Sequence, residues 1–365
     1  MYAATAANHR RAAGDGIAAQ GWHVPCHPFL WRAMLAGLLA LAGVLGAHAA
    51  GQDAPLYRYE MGPALGAAEL DGLAPLLPAG TEVRSAQVLA PRPSHALAQL
   101  RLARTASGPV LLDWQALVDD PFLTLLPPLA ETVVLAPVLQ RHVSGNAAVL
   151  AWWDVSRQIR LLADADVVFG QPLGDPLFVP ANWRGQAEAV RGIEQAFWQE
   201  PGDRDLQAGR DAFQRFVAAL LAPEQDGMAA LRELGDGRPV VLVLHLRDLI
   251  LLGQMAPEAL GVAFRDFGTL SEVHGMIQRV RAWMRDNDYA AYGLLRGGTD
   301  SVRAVALTDE ASGQTLVARL LPLIGNDQTD VAGARLVYRT GGYIVFEIAA
   351  QPASTSTAST AQTSP

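Results

Sequence analysis

The sequence predicts an α/β protein: a helix-covered mixed sheet with a β-rich C-terminal part, gathered in a single main domain. Three observations point there. "RPVVLVLHL", residues 238–246, is a continuous β-branched and leucine run, the pattern of a strand buried on both faces. Several segments repeat apolar residues at helical spacing, among them 182–200, 211–222, 226–237 and 270–288. The last third then turns to short strand-like runs, and "RTGGY" at 339–343 supplies the glycines of a tight hairpin.

The elements follow in order. Residues 50–80 are rich in Ala, Gly, Pro and Leu and are expected to form a poorly ordered lead-in. Strand-like runs follow at 82–90, 95–103 and 108–117. Asp120-Pro121 and Pro127-Pro128 mark turns before a helix over 129–141. "NAAVLAWWD", 146–154, has the form of a buried strand that stops at Asp154, with a short helix over 156–163 capped by Ser156. Another short strand is expected at 166–170 and a loop at 171–185. Beyond the strand at 238–246, the runs 289–295, 302–309, 315–324, 334–340 and 343–349 form the β-rich part. The body spans 81–350, with a division near 140 left open, and 351–365 is a disordered Ser/Thr-rich tail.

Composition narrows the function. The chain has 365 residues, 28 basic and 36 acidic, for a net charge of −8. Every basic side chain is arginine, since the sequence contains no lysine. The acidic balance argues against nucleic acid, whose phosphates need a basic face. Cys26 is the only cysteine, which excludes an intramolecular disulfide, a Cys-x-x-Cys site and a Cys-x-x-Cys-His haem attachment. No cofactor is expected.

Residues 1–49 are expected to be an N-terminal extension and an export signal. Arg32 precedes an apolar run from Ala33 to Ala47, which ends in the small-x-small pattern Ala47-His48-Ala49. The run is short for a spanning helix, which needs about 20 residues. Cleavage is the first reading, and retention of 29–50 as an inner-membrane anchor is the second. Cleavage removes three arginines and one aspartate and takes the charge from −8 to −10. Either way the body faces the periplasm.

Trp152-Trp153-Asp154 is the sharpest chemical signal. Adjacent residues of a strand point to opposite faces, so one tryptophan can join the core while the other stacks on a loop or a ligand. Asp154 can cap the following helix or accept from Arg157. Further binding candidates are His245 and Asp248 in "HLRD" and His274 in "EVHG". With Glu272, these histidines and Asp248 could gather at one sheet edge, although no spacing here demands a metal. The motifs of dinucleotide binding, phosphate loops, zinc proteases and nucleophile elbows are missing from the sequence, so no catalytic residue is assigned.

Two resemblances attach to these residues. "VLAWWDVSRQIRLLADADVVFGQPL", 149–173, resembles the Trp-Trp-Asp segment in the soluble domain of oligosaccharyltransferase catalytic subunits. Val155-Ser156 replaces that family's Tyr-Gly, and its catalytic membrane helices have no counterpart, so glycosyl transfer does not carry over. This resemblance implies an α/β fold and, as the alternative function, a glycan- or peptide-binding module. The broader resemblance is to HaoB, the protein encoded beside hydroxylamine oxidoreductase in ammonia and methane oxidisers. It rests on "AWWDVSRQI", "PANWRG", the Phe-Trp pair at 197–198, "HLRD", "EVHG" and "ARLLPLIG…ARLVYRTGGYIVFEI" at 318–348. It implies a non-haem accessory protein in hydroxylamine oxidation, with hydroxylamine oxidoreductase as partner. A third reading, a hydrolase using His245, His274 and nearby acids, has only those residues behind it.

Overall fold

A computed structural model describes residues 56–350, except 71, 92–93, 107, 119–124, 172–175, 177–178, 180, 199–205, 270–272, 297–300, 327–329 and the side chains of 181–182, 206, 269 and 273–274. The signal or anchor segment, Cys26, Glu272 and the Ser/Thr-rich tail lie outside the described residues.

The central sheet has four strands in the order β10-β11-β6-β5. Its heart is β6 (Val240–His245), whose six residues are all buried, as the uninterrupted apolar run predicts. On one side β6 pairs in parallel with β5 (Ala148–Ala151); on the other it pairs antiparallel with β11 (Tyr343–Ile348), followed by β10 (Ala334–Thr340). The sheet is therefore mixed. Gly341, at φ 54°, makes the tight β10–β11 turn that the glycine pair announced. Helices α1 (Leu129–His142), α2 (Trp153–Ala163), α4 (Leu206–Leu221), α5 (Glu224–Leu234), α6 (Asp248–Met255) and α8 (Leu316–Leu320) contribute to the same core as β5 and β6. Burying one large aliphatic side chain contributes about 1.5–3 kcal/mol, so a strand buried along its whole length fixes the sheet's position.

An antiparallel meander precedes this unit: β1 (Arg58–Ala64), β2 (Val83–Leu89), β3 (Ala96–Thr105) and β4 (Gly108–Ala116). Its two faces feed two cores. Val83, Ala103, Val110 and Leu112 join the central core, whereas Ala86, Val88, Leu100, Leu102 and Trp114 pack with Val190 and Trp198 of α3 (Ala187–Trp198). A third sheet, order β7-β9-β8, combines β7 (Val262–Thr269), β8 (Ala291–Arg296) and β9 (Ser301–Leu307) under α7 (Val273–Asp286).

The α/β class holds, and several local expectations change. Within 50–80, the described residues contain β1 and two short 3-10 turns, so that stretch is part of the fold; β1 stands because β2 supplies its hydrogen-bond partner. Residues 315–324 form the short helix α8 flanked by two isolated bridges, Thr315 with Pro223 and Ile324 with Tyr292, not a strand. The 166–170 strand shrinks to one bridge, Val167 with Val149. Helix α2 starts at Trp153, three residues before the expected cap, and the Ser156 hydroxyl donates instead to the Ala151 carbonyl. Among the described residues no helix is long and apolar enough to cross a membrane.

Candidate functional site

The parallel strands β5 and β6 end side by side, and each runs directly into a helix. In open α/β sheets such carboxyl ends are where ligands and polar side chains collect. Here they bring together the two motifs that stand out in the sequence. Trp152-Trp153-Asp154 leaves β5 and starts α2, while His245-Leu246-Arg247-Asp248 leaves β6 and starts α6. Asp154 and Asp248 each sit in the first turn of their helix, where the N-terminal dipole favours a carboxylate.

Arg247 joins the two ends. Its guanidinium grips Asp154 with both prongs, Nη2 to Oδ1 at 2.6 Å and Nη1 to Oδ2 at 3.0 Å, and Nη1 also donates to the Leu125 carbonyl. Arg247 Nε lies 3.2 Å from Asp248 Oδ1, an ion contact without hydrogen-bond alignment. All three side chains are at most 2 % exposed, so water contributes almost nothing to their solvation. One cation thus serves two buried carboxylates unequally. Burial pushes the Asp248 carboxyl up to about 7; the Arg247 charge and the His245 N–H only partly offset this. Burial disfavours the Arg247 charge as well, but the two carboxylates outweigh it and hold the guanidinium charged.

His245 occupies the other side of Asp248. Its backbone N–H donates to Asp248 Oδ2 at 2.8 Å, and its Nδ1 accepts the Arg247 N–H at 3.0 Å. Nδ1 is therefore the acceptor, which leaves the ring proton on Nε2, facing Glu131 Oε2 at 3.2 Å. Burial lowers the His245 pKa more than Glu131 raises it, so the neutral imidazole is favoured. Glu131, in the first turn of α1, also accepts the Gly342 N–H at 2.6 Å. Burial raises its pKa, but the His245 and Gly342 donors outweigh it and keep the net shift downward. Tyr343 closes the cluster, with its ring edge-on to His245 at 4.8 Å and its hydroxyl 3.0 Å from Thr132 Oγ1. Gly342 has to be glycine here, because a Cβ would come within 2.6 Å of His245 Cε1.

The remaining predicted residues divide. Trp152 is 1 % exposed and meets Phe213 edge-to-face at 5.2 Å, so it belongs to the core. Trp153 is half-buried against the same core, so any stacking on a ligand would fall to it alone. Arg157 is buried and lines a cleft of about 510 Å³ with Arg160, Gln140, Thr105 and the 75–78 loop. His274 lies in α7, which packs on the third sheet, and its side chain is outside the described residues. The four-residue gathering that the sequence allowed cannot be followed to Glu272 or the His274 side chain; among the described residues no cluster of three His, Cys, Asp or Glu is placed to hold a metal.

Sequence reasoning missed Arg247, Glu131 and Tyr343. Arg247 had a signal: it sits between two named candidates, and two acids in an apolar setting need a cation. Glu131 and Tyr343 come from α1 and β11, elements distant in sequence from β6, and nothing local marked them.

The polar groups of this site pair largely with one another, with Arg247 Nε and Asp248 Oδ1 left in ion contact but without an aligned hydrogen bond. Both ring nitrogens of His245 are engaged, Asp154 is held by the Arg247 fork, and the nearest hydroxyls bond each other. The class this defines is an α/β protein whose strand-end motifs tie helices to a sheet. Comparison with known families then identifies the chain: the profile for "HaoA-associated protein HaoB" matches residues 27–348, so the chain belongs to the HaoB family. The family association is with hydroxylamine oxidoreductase, HaoA. No curated protein matches the chain at the significance required.

Proposed function

We propose that the chain is an exported, non-catalytic accessory protein that acts on hydroxylamine oxidoreductase from the periplasm, supporting its maturation, docking or function. Membership of the HaoA-associated family over residues 27–348 carries this reading. The burial of the strand-end cluster supports the non-catalytic part, because a general base has to be reachable by substrate and Asp154, His245 and Asp248 are each at most 2 % exposed. The export part rests on Arg32, the apolar run 33–47 and Ala47-His48-Ala49.

Gentle co-purification from the native membrane and periplasmic fractions tests the partner. Hydroxylamine oxidoreductase should be recovered with the tagged chain, and deletion of the gene should lower the oxidoreductase's activity or disturb its haem attachment. Failure of co-purification together with intact activity and haem content in the deletion strain would sink the proposal. N-terminal sequencing of the exported protein separates a signal cleaved near residue 49 from a retained anchor.

A further inference from the structure

A second buried carboxylate lies on the far face of the meander and takes no part in the strand-end cluster. Glu194 of α3 is 6 % exposed. Its Oε1 accepts from two phenols, Tyr57 at 2.6 Å and Tyr59 at 2.8 Å, and its Oε2 accepts from Trp198 Nε1 at 2.8 Å. Among the described residues no ion pair reaches it. A buried carboxylate without a cation is costly, and three neutral donors offset only part of that cost. Burial accordingly raises its pKa, with the three donors opposing.

The rings around it form a continuous path. Trp183 is half-buried and stacks on Tyr57 at 5.0 Å. Tyr57 meets Tyr59 edge-on at 5.9 Å, and Tyr59 meets Trp198 at 5.8 Å and stacks on Phe197 at 3.8 Å. Packing alone asks for aromatic surface, which phenylalanine supplies without polar atoms to satisfy. This site instead has two phenolic O–H groups aimed at one basic oxygen, in a dry setting, with an indole leading to the surface.

The geometry points to a proton-coupled redox site at Tyr57 and Tyr59, with Glu194 as the proton acceptor and Trp183 as the electron exit. A high-potential one-electron oxidant at the surface takes one electron from the Trp183 indole. The indole radical cation is refilled by one electron from Tyr57. As that electron leaves, the Tyr57 O–H bond breaks and its proton passes to Glu194 Oε1. The products are the reduced oxidant, a neutral Tyr57 phenoxyl radical and a neutral Glu194 carboxylic acid. A one-electron reductant such as a thiolate returns the electron, and Glu194 returns the proton to the phenolate oxygen. The radical never requires charge separation inside the core, which is what a carboxylate within 2.8 Å of both phenols provides. This function is independent of the association with hydroxylamine oxidoreductase.

Flash photolysis of the full chain with a ruthenium tris-bipyridyl oxidant, read by transient absorption and electron paramagnetic resonance, tests it. The wild-type protein should show a fast phenoxyl component that slows in deuterated water. Tyr57→Phe/Tyr59→Phe, which keeps both rings, should lose that component. Glu194→Gln combined with Trp198→Phe, which removes the indole donor an amide would oppose, should make phenoxyl formation slower and dependent on buffer base. Circular dichroism checks folding; if the glutamine variant does not fold, the phenylalanine pair decides alone. An unchanged fast component in the folded Tyr57→Phe/Tyr59→Phe variant overturns the proposal and leaves the cluster as packing.

Discussion

Replacing Arg247 with methionine is the most informative perturbation of the strand-end site. The variant fills most of the same volume but removes the fork to Asp154 at 2.6 and 3.0 Å and the 3.2 Å contact to Asp248. Breaking one buried pair by deleting a single partner costs about 3–5 kcal/mol, chiefly the penalty of the stranded charge. Two carboxylates are stranded here, yet the cost does not double. Asp248 already titrates at about 7, so it meets the loss of its cation by holding a proton. The charge that stays exposed to the low dielectric belongs to Asp154, and the expected loss is about 4 kcal/mol at neutral pH. With an m-value of about 3 kcal/mol/M, urea unfolding followed by tryptophan fluorescence should show a midpoint lowered by about 1.3 M. Adding Asp154→Leu removes the stranded charge, and the double variant should recover most of the loss, since an apolar replacement of a whole buried pair is often neutral. A loss below about 1 kcal/mol in Arg247→Met, or no recovery in the double variant, would show that the pair does not carry the energetics assigned to it.

Other consequences can be measured alongside. Gly342→Ala drives a Cβ against the His245 ring, and overpacking of this kind should cost about 1–3 kcal/mol by the same unfolding assay. Trp152→Ala should cost about 3–5 kcal/mol, as for other buried large-to-small changes, whereas the half-buried Trp153 should lose clearly less when changed to alanine. Asp248→Asn should alter the pH profile of stability. Because the folded carboxyl titrates at about 7, above its ordinary 3.8, the folded state holds a proton that the unfolded state has released between those values. Wild-type stability therefore loses a contribution as pH rises through that window, and the asparagine variant should not. Thermal midpoints from pH 4 to 8 should give a more upward-sloping profile for the variant; parallel profiles would remove Asp248 as the source.

Much of the fold was written in local pattern. The six-residue burial of β6 and the Gly-Gly turn at 341–342 follow from an apolar run and glycine punctuation, and helices α3 and α7 from 3.6-residue spacing. What escaped depended on partners distant in sequence. Strand β1 is exposed at most positions, carries Gly62 and Pro63, and exists because β2 completes its hydrogen bonds. The run 315–324 is apolar enough for a strand, but a short run does not distinguish strand from buried helix, and packing against α4 and α5 selected the helix. The site was half legible. Asp154, His245 and Asp248 were named from their motifs and do meet. The residue that joins them was overlooked, because an arginine at a strand end suggests solvent until the second acid is known to lie beside it.

Helix α2 has one further duty. One turn beyond Asp154, the buried Gln158 amide donates to the carbonyls of Leu111 at 2.8 Å and Leu112 at 3.3 Å, where the β3–β4 register slips between Arg101 and Leu102. That slip skips Leu112 in the pairing, and a bulge of this kind disrupts the ladder locally where the Gln158 amide arrives. A single rigid rod thus has its root in the strand-end ions and its flank stitched into a neighbouring sheet. Separating the meander from the central layer would break the Gln158 contacts together with the packing of Val110 and Leu112 on the central core. The helix that holds the strand-end ions is thus also the one that fastens the meander to the central layer.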